Sequence, residues 1–181
     1  ADNVYTTFDS DLQLAAHKAL GVYDGAIVVT EVKTGRILAM VSKPGFDPNE
    51  ITTLLNNLSQ GTKSSVLLNR ATQGLYPPGS IFKVITTIEY LREHNNDLST
   101  YEYNCTGSYK VDNIKINCFN HKAHGLQTYE DSVTNSCNSS FANIGMGLNT
   151  EAFANTLNGL LFHQELPIDL PSNPGSFDLV A

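Results

Sequence analysis

No stretch of this chain approaches the roughly 20 consecutive apolar residues that carry a helix across a bilayer. Residues 1–20 also lack the charged-then-apolar layout of a secretory signal. Basic residues are scarce: 11 Lys and Arg stand against 18 Asp and Glu, a formal charge of −7, and they form no cluster. Nucleic acid and anionic membrane surfaces, which demand a basic face, are excluded as direct partners. Repeats and low-complexity tracts are missing as well. The 181 residues, 41% of them hydrophobic, suffice for one buried core and for one domain or slightly more.

Cysteine is sparse too, and the number is odd. Cys105, Cys118 and Cys137 leave at least one thiol unpaired and do not fix a redox compartment. Cys105 and Cys118 flank a predicted hairpin, so a disulfide between them stays open. The two-residue gaps between Cys118, His121 and His124 suggest a zinc site that would include Cys105. The paired Cys-x-x-Cys knuckle is absent, however, and no metal ligand is assigned. Cys137 is read as an inward-facing small hydrophobe with no nearby histidine to activate it. His17, His94 and His163 are isolated, and core or solvated roles are expected of them.

Several elements are legible from pattern. Asp9-Ser10-Asp11 leads into Leu12, Leu14, Ala15, Ala16, Ala19 and Leu20, then Gly21, which predicts a capped amphipathic helix. Residues 26–32 and 36–41 are β-type runs joined by a short turn containing Gly35, and they predict a hairpin. Residues 43–70 read as a connector with a helical stretch near 51–58. A second hairpin spans 108–117, helices follow near 128–135, 139–148 and 151–160, and the proline-bearing tail 166–181 reads as extended loop.

The strongest chemical signal is Tyr76-Pro77-Pro78-Gly79-Ser80-Ile81-Phe82-Lys83. The prolines and glycine stop the preceding element, and Ile81, Val84, Ile85 and Ile88 have the spacing of a helix's buried stripe. Ser80 therefore opens a helix. Residues three apart are neighbours on a helix surface, so the Lys83 amine can reach the Ser80 hydroxyl. In poorly solvated surroundings such an amine has a depressed pKa and can act as a base. Ser-x-x-Lys alone recurs by chance in helices, but Ser136-Cys137-Asn138 supplies a second element in the order expected of penicillin-binding proteins and serine β-lactamases. Lys33-Thr34-Gly35 spells the third motif of that set. It precedes Ser80 and lies in a predicted turn, and is read as a decoy.

With these motifs the chain resembles the transpeptidase domain of a class B penicillin-binding protein of Gram-positive type. The similarity extends to Val4–Asp9, Gly35–Ser42, Phe46-Asp47-Pro48-Asn49, Asn69-Arg70-Ala71 and His124-Gly125. The resemblance implies an α+β fold, an antiparallel sheet packed with helices beside a helical subdomain. It also implies an outward-facing, membrane-anchored enzyme whose anchor lies upstream of this chain, with cell-wall synthesis proteins as further partners. It implies catalysis by Ser80, Lys83 and Ser136, substrate binding by Asn138, and no metal or organic cofactor. Ser80 would attack the carbonyl of a D-alanyl-D-alanine stem peptide and expel the last D-alanine. An amine of a second stem peptide would then take the acyl group, while β-lactams stall the first step. The Ser80 amide would donate to the oxyanion. No Lys-Thr-Gly follows Asn138, so 1–181 is expected to be the N-terminal portion of the domain and inactive alone. A β-lactamase or penicillin sensor, and a non-catalytic structural module, are the rival readings.

Overall fold

The computed structural model describes residues 3–61 and 64–179. Ala1 and Asp2, Thr62 and Lys63 of the predicted connector, and Val180 and Ala181 of the predicted tail lie outside the described residues. The chain divides into two compact units, Ala1–Tyr76 with Glu165–Asn173, and Pro77–Gln164 with Pro174–Ala181.

In the first unit, helix α1 (Ser10–Leu20) begins where expected because the Asp9 carboxylate accepts from the backbone N–H groups of Asp11 and Leu12, at 3.0 and 2.9 Å. Gly21 ends it at φ 55°, where a side chain would be strained. Strands β1 (Gly25–Thr30) and β2 (Ile37–Lys43) pair antiparallel, from Gly25 opposite Lys43 to Thr30 opposite Ile37. Ala16, Ala39 and Val41 form the centre of a small core with Leu20, Ile27 and Val29. Gln13 ties α1 to β2 by donating to the Met40 carbonyl and accepting from its N–H, each at 2.8 Å. Lys33-Thr34-Gly35 lies exposed in the β1–β2 turn, as predicted, with Gly35 at φ 73°. Helix α2 (Ile51–Ser59) follows a 3₁₀ turn, and α3 (Arg70–Gln73) starts at the Asn69 cap.

In the second unit, a 3₁₀ turn, Gly79–Ile81, runs directly into α4 (Phe82–Glu93), so Ser80 sits in the entry turn. Strand β3 (Glu102–Cys105) pairs with a later strand, while β4 (Ser108–Val111) and β5 (Ile114–Asn117) form the predicted hairpin. The partner of β3 is β6 (Gly125–Thr128), a pairing the sequence pattern did not indicate. Helices α5 (Tyr129–Thr134), α6 (Asn138–Gly147) and α7 (Thr150–Gly159) complete the unit. Thr128 and Asp131 form a reciprocal capping box at the start of α5.

The buried face of α4 differs from expectation. Ile81 and Val84 are 73% and 63% exposed, whereas Thr86, Glu89 and Tyr90 are buried. The helix is oriented chiefly by an aromatic core, against which Ile85 of the predicted stripe also packs, partly buried. Tyr90 meets Tyr129 with ring centroids 4.7 Å apart, and Phe82 stacks on Phe177 at 5.1 Å. The buried Glu89 carboxylate accepts from the Thr156 hydroxyl, which in turn accepts from Arg92, so its polar demand is met within the core. Among the described residues no helix is long and apolar enough to cross a membrane.

Candidate active site

Ser80, Lys83, Ser136 and Asn138 all belong to the second unit and meet there. Ser136 lies in the three-residue link between α5 and α6, and Asn138 is the first residue of α6. Asn135 ends α5 and Ser136 takes a left-handed conformation at φ 47°. Cys137 is fully buried and caps α6 by accepting from the Ser140 N–H through its sulfur. A left-handed non-glycine residue costs about 1–2 kcal/mol. Its persistence here requires that the surrounding structure over-determine the backbone.

Lys83 is the hub. Its amine lies 2.7 Å from the Ser136 carbonyl, 2.7 Å from Asn138 Oδ1, 2.9 Å from Ser136 Oγ and 3.3 Å from Ser80 Oγ. Ser136 Oγ in turn stands 3.0 Å from Ser80 Oγ. A neutral amine has two N–H donors and one lone pair. The two carbonyl oxygens can only accept and so take both donors, which leaves the lone pair for a hydroxyl. A proton can therefore leave Ser80 directly or through Ser136. Burial holds the Lys83 pKa below the ordinary lysine value, although the Cys137 and Cys118 thiols partly offset this. Val84, Val133 and Phe141 line a hollow of about 90 Å³ beside Ser80 and Lys83.

Asn138 is held at both ends of its amide: Oδ1 faces Lys83, and Nδ2 donates to the Asn117 carbonyl at 3.0 Å. Among the described residues the second N–H of this amide has no partner and can meet a ligand. Ser80, Ser136 and Asn138 also line a larger cavity, about 590 Å³, together with Phe119, Lys122 and His124.

The cysteines depart from the sequence reading. Cys105 and Cys118 are not bonded, their sulfurs lying 3.7 Å apart, and Cys118 stands equally close to Cys137. The open disulfide is thus not formed. His124 Nδ1 lies 3.3 Å from Cys105 Sγ, and the donor atoms of Cys105, Cys118, Cys137 and His124 all fall within 4.8 Å of one another. Sulfurs about 2.3 Å from a tetrahedral zinc would be spaced by roughly 3.8 Å, so this set could hold such an ion. Cys137 replaces His121 in the set weighed from sequence. That substitution is invisible in one dimension, because the fourth ligand lies between two residues already assigned to the site. Burial raises the Cys105 thiol, but hydrogen bonds from Ser139, His124 and Gly107 outweigh it and bring the pKa down to about 6. Burial pushes the Cys137 thiol up.

Residues 25–178 match the family model of the penicillin binding protein transpeptidase domain. The chain is 36% identical over 149 residues to stage V sporulation protein D of Bacillus subtilis, covering 81% of this chain and 22% of that protein. It therefore spans about a fifth of that curated relative. Among solved structures, the D,D-transpeptidase domain of a peptidoglycan glycosyltransferase from Eggerthella lenta superposes with a TM-score of 0.84 at 26% identity, over 94% of this chain and 40% of that one. Penicillin-binding protein A of M. tuberculosis, solved as a ceftriaxone acyl-enzyme complex, gives 0.79 at 26% identity, over 88% and 39%.

Proposed function

The chain belongs to the penicillin-binding protein transpeptidase domain family, and on that premise we propose that it carries the acylation machinery of a peptidoglycan D,D-transpeptidase. The observation that carries this reading is the convergence of one amine, Lys83 Nζ, on Ser80 Oγ, Ser136 Oγ and Asn138 Oδ1. In the first step Ser80 Oγ attacks the carbonyl carbon of a D-alanyl-D-alanine peptide while its proton passes to Lys83. Collapse of the tetrahedral adduct breaks the peptide bond, and the departing amine of D-alanine takes a proton back through Ser136. In the second step the amine of another stem peptide attacks the Ser80 ester, and the serine leaves reprotonated. Asn138 offers its free N–H to the donor's backbone. A β-lactam ring is opened by the same attack. The protein acts outside the cytoplasmic membrane, where such peptides occur.

Intact-mass measurement after the whole protein, with its complete transpeptidase domain, is incubated with benzylpenicillin tests the reading. One adduct of drug mass is expected, located at Ser80 by peptide mapping and lost in Ser80→Ala. An adduct that persists in Ser80→Ala would exclude Ser80 as the nucleophile.

A further inference from the structure

The cavity of about 590 Å³ beside Ser80 has a lining with an unexpected charge. The chain as a whole is acidic, at −7, yet among the described residues no Asp or Glu lines this space, and the exposed Lys122 does. The Lys83 amine is committed to Ser80, Ser136 and Asn138, whereas the Lys122 amine makes no hydrogen bond or ion pair among the described residues.

The turn that presents Lys122 is tightly held. Cys118, 4% exposed, anchors its start and donates its N–H to the Gly107 carbonyl at 2.9 Å. His121 and Lys122 donate back to the Cys118 and Phe119 carbonyls at 2.9 and 3.1 Å. Asn120 and His121 are both left-handed, at φ 51° and 55°. Gly107 sits beneath at φ 94°, where a Cβ would come within 2.5 Å of the His121 carbonyl oxygen. Two consecutive left-handed residues stacked over a position that admits only glycine, with the backbone hydrogen bonds above, define this turn. Phe119, 84% exposed, lines the same cavity and offers an apolar face. An unpaired cation and an exposed aromatic ring on a fixed turn form a complementary surface for a peptide that carries a carboxylate.

We propose that Lys122 is a specificity-determining residue that binds a side carboxylate of a stem peptide reacting at Ser80. The inference rests on the transpeptidase reading above. The carboxylate could belong to the acyl donor or to the acceptor, and the two act in different steps.

The test uses the whole protein, with donor thioester peptides and acceptor amines each prepared with the side carboxylate free or amidated. Acylation rate and the partition of the acyl-enzyme between transfer and hydrolysis are read by mass spectrometry. The wild type should prefer the free carboxylate by about tenfold, the scale of one charge-assisted hydrogen bond in a partly solvated site. Lys122→Ala should abolish the preference, Lys122→Arg should retain it, and Lys122→Glu should reverse it. A preference in acylation assigns the carboxylate to the donor, and one in the partition alone assigns it to the acceptor. A wild type without preference, or a preference unchanged in Lys122→Ala, overturns the proposal while Ser80 still acylates. Absence of any Ser80 adduct in the wild type overturns the transpeptidase reading instead, and this inference with it.

Discussion

Two tripeptides in this chain spell motifs of one enzyme family, and their surroundings could hardly differ more. Lys33-Thr34-Gly35 occupies an exposed hairpin turn, where the Thr34 hydroxyl satisfies Glu31 and Gly35 supplies the left-handed corner. Ser136-Cys137-Asn138 bridges two helices, buries its middle residue completely and aims the outer two at Lys83. The first is explained by turn chemistry alone. The second carries a strained backbone that its own sequence would not adopt. The difference teaches that a motif acts through the structure that holds it, and each prediction below probes one side of it.

The largest effect is expected at the hub. Lys83→Ala should slow penicillin acylation by about a hundred- to ten-thousand-fold, the usual range for a general base. Circular dichroism should show the fold retained. Acylation within about threefold of wild type would remove Lys83 from the role of base.

The pH profile should move with it. Burial lowers the Lys83 pKa, so the reactive, deprotonated amine is populated at lower pH than for a solvated lysine. Acylation should therefore climb as pH rises through a midpoint below the ordinary lysine value and then level. A rate still rising at the ordinary lysine pKa would contradict the depressed value.

Ser136→Gly separates strain from chemistry. Glycine tolerates φ 47°, so thermal stability should hold or rise by up to ~1 kcal/mol. Acylation should fall at the same time, because the hydroxyl between Ser80 and Lys83 is gone. Unchanged acylation would leave the direct 3.3 Å route as the sole path for the proton.

The smallest effects belong to the decoy. Gly35→Ala should cost about 1 kcal/mol from its left-handed backbone, whereas Lys33→Ala should change stability by less than ~0.5 kcal/mol, as at ordinary surface sites. Neither should alter penicillin labelling. A labelling defect in Lys33→Ala at unchanged stability would make the first tripeptide functional after all.

Local physics made much of this protein legible in its sequence. The Asp9 cap, the glycine corner at Gly35, the 108–117 hairpin and the Ser80–Lys83 spacing depend on contacts within a few residues, and each appeared where expected. The buried face of α4 is legible only in part, at Ile85, because the apolar pattern admits two faces a residue apart and Ile81 and Val84 lie on the exposed one. Partners far along the chain, Tyr129 and Phe153, selected the face bearing Phe82 and Tyr90.

By itself, then, the sequence determined the family and most caps and turns, and it named Ser80, Lys83, Ser136 and Asn138 as the candidates for the proposed site. Tertiary structure alone decided which groups meet. It brought β6 to β3, placed Ser136 and Asn138 on Lys83 across more than fifty residues, and gathered Cys105, Cys118, Cys137 and His124 into one cluster. Helical and turn propensities act over one or two turns of chain. Contacts of such long separation are fixed only when packing of the aromatic core chooses one arrangement of the elements, and no local pattern records that choice.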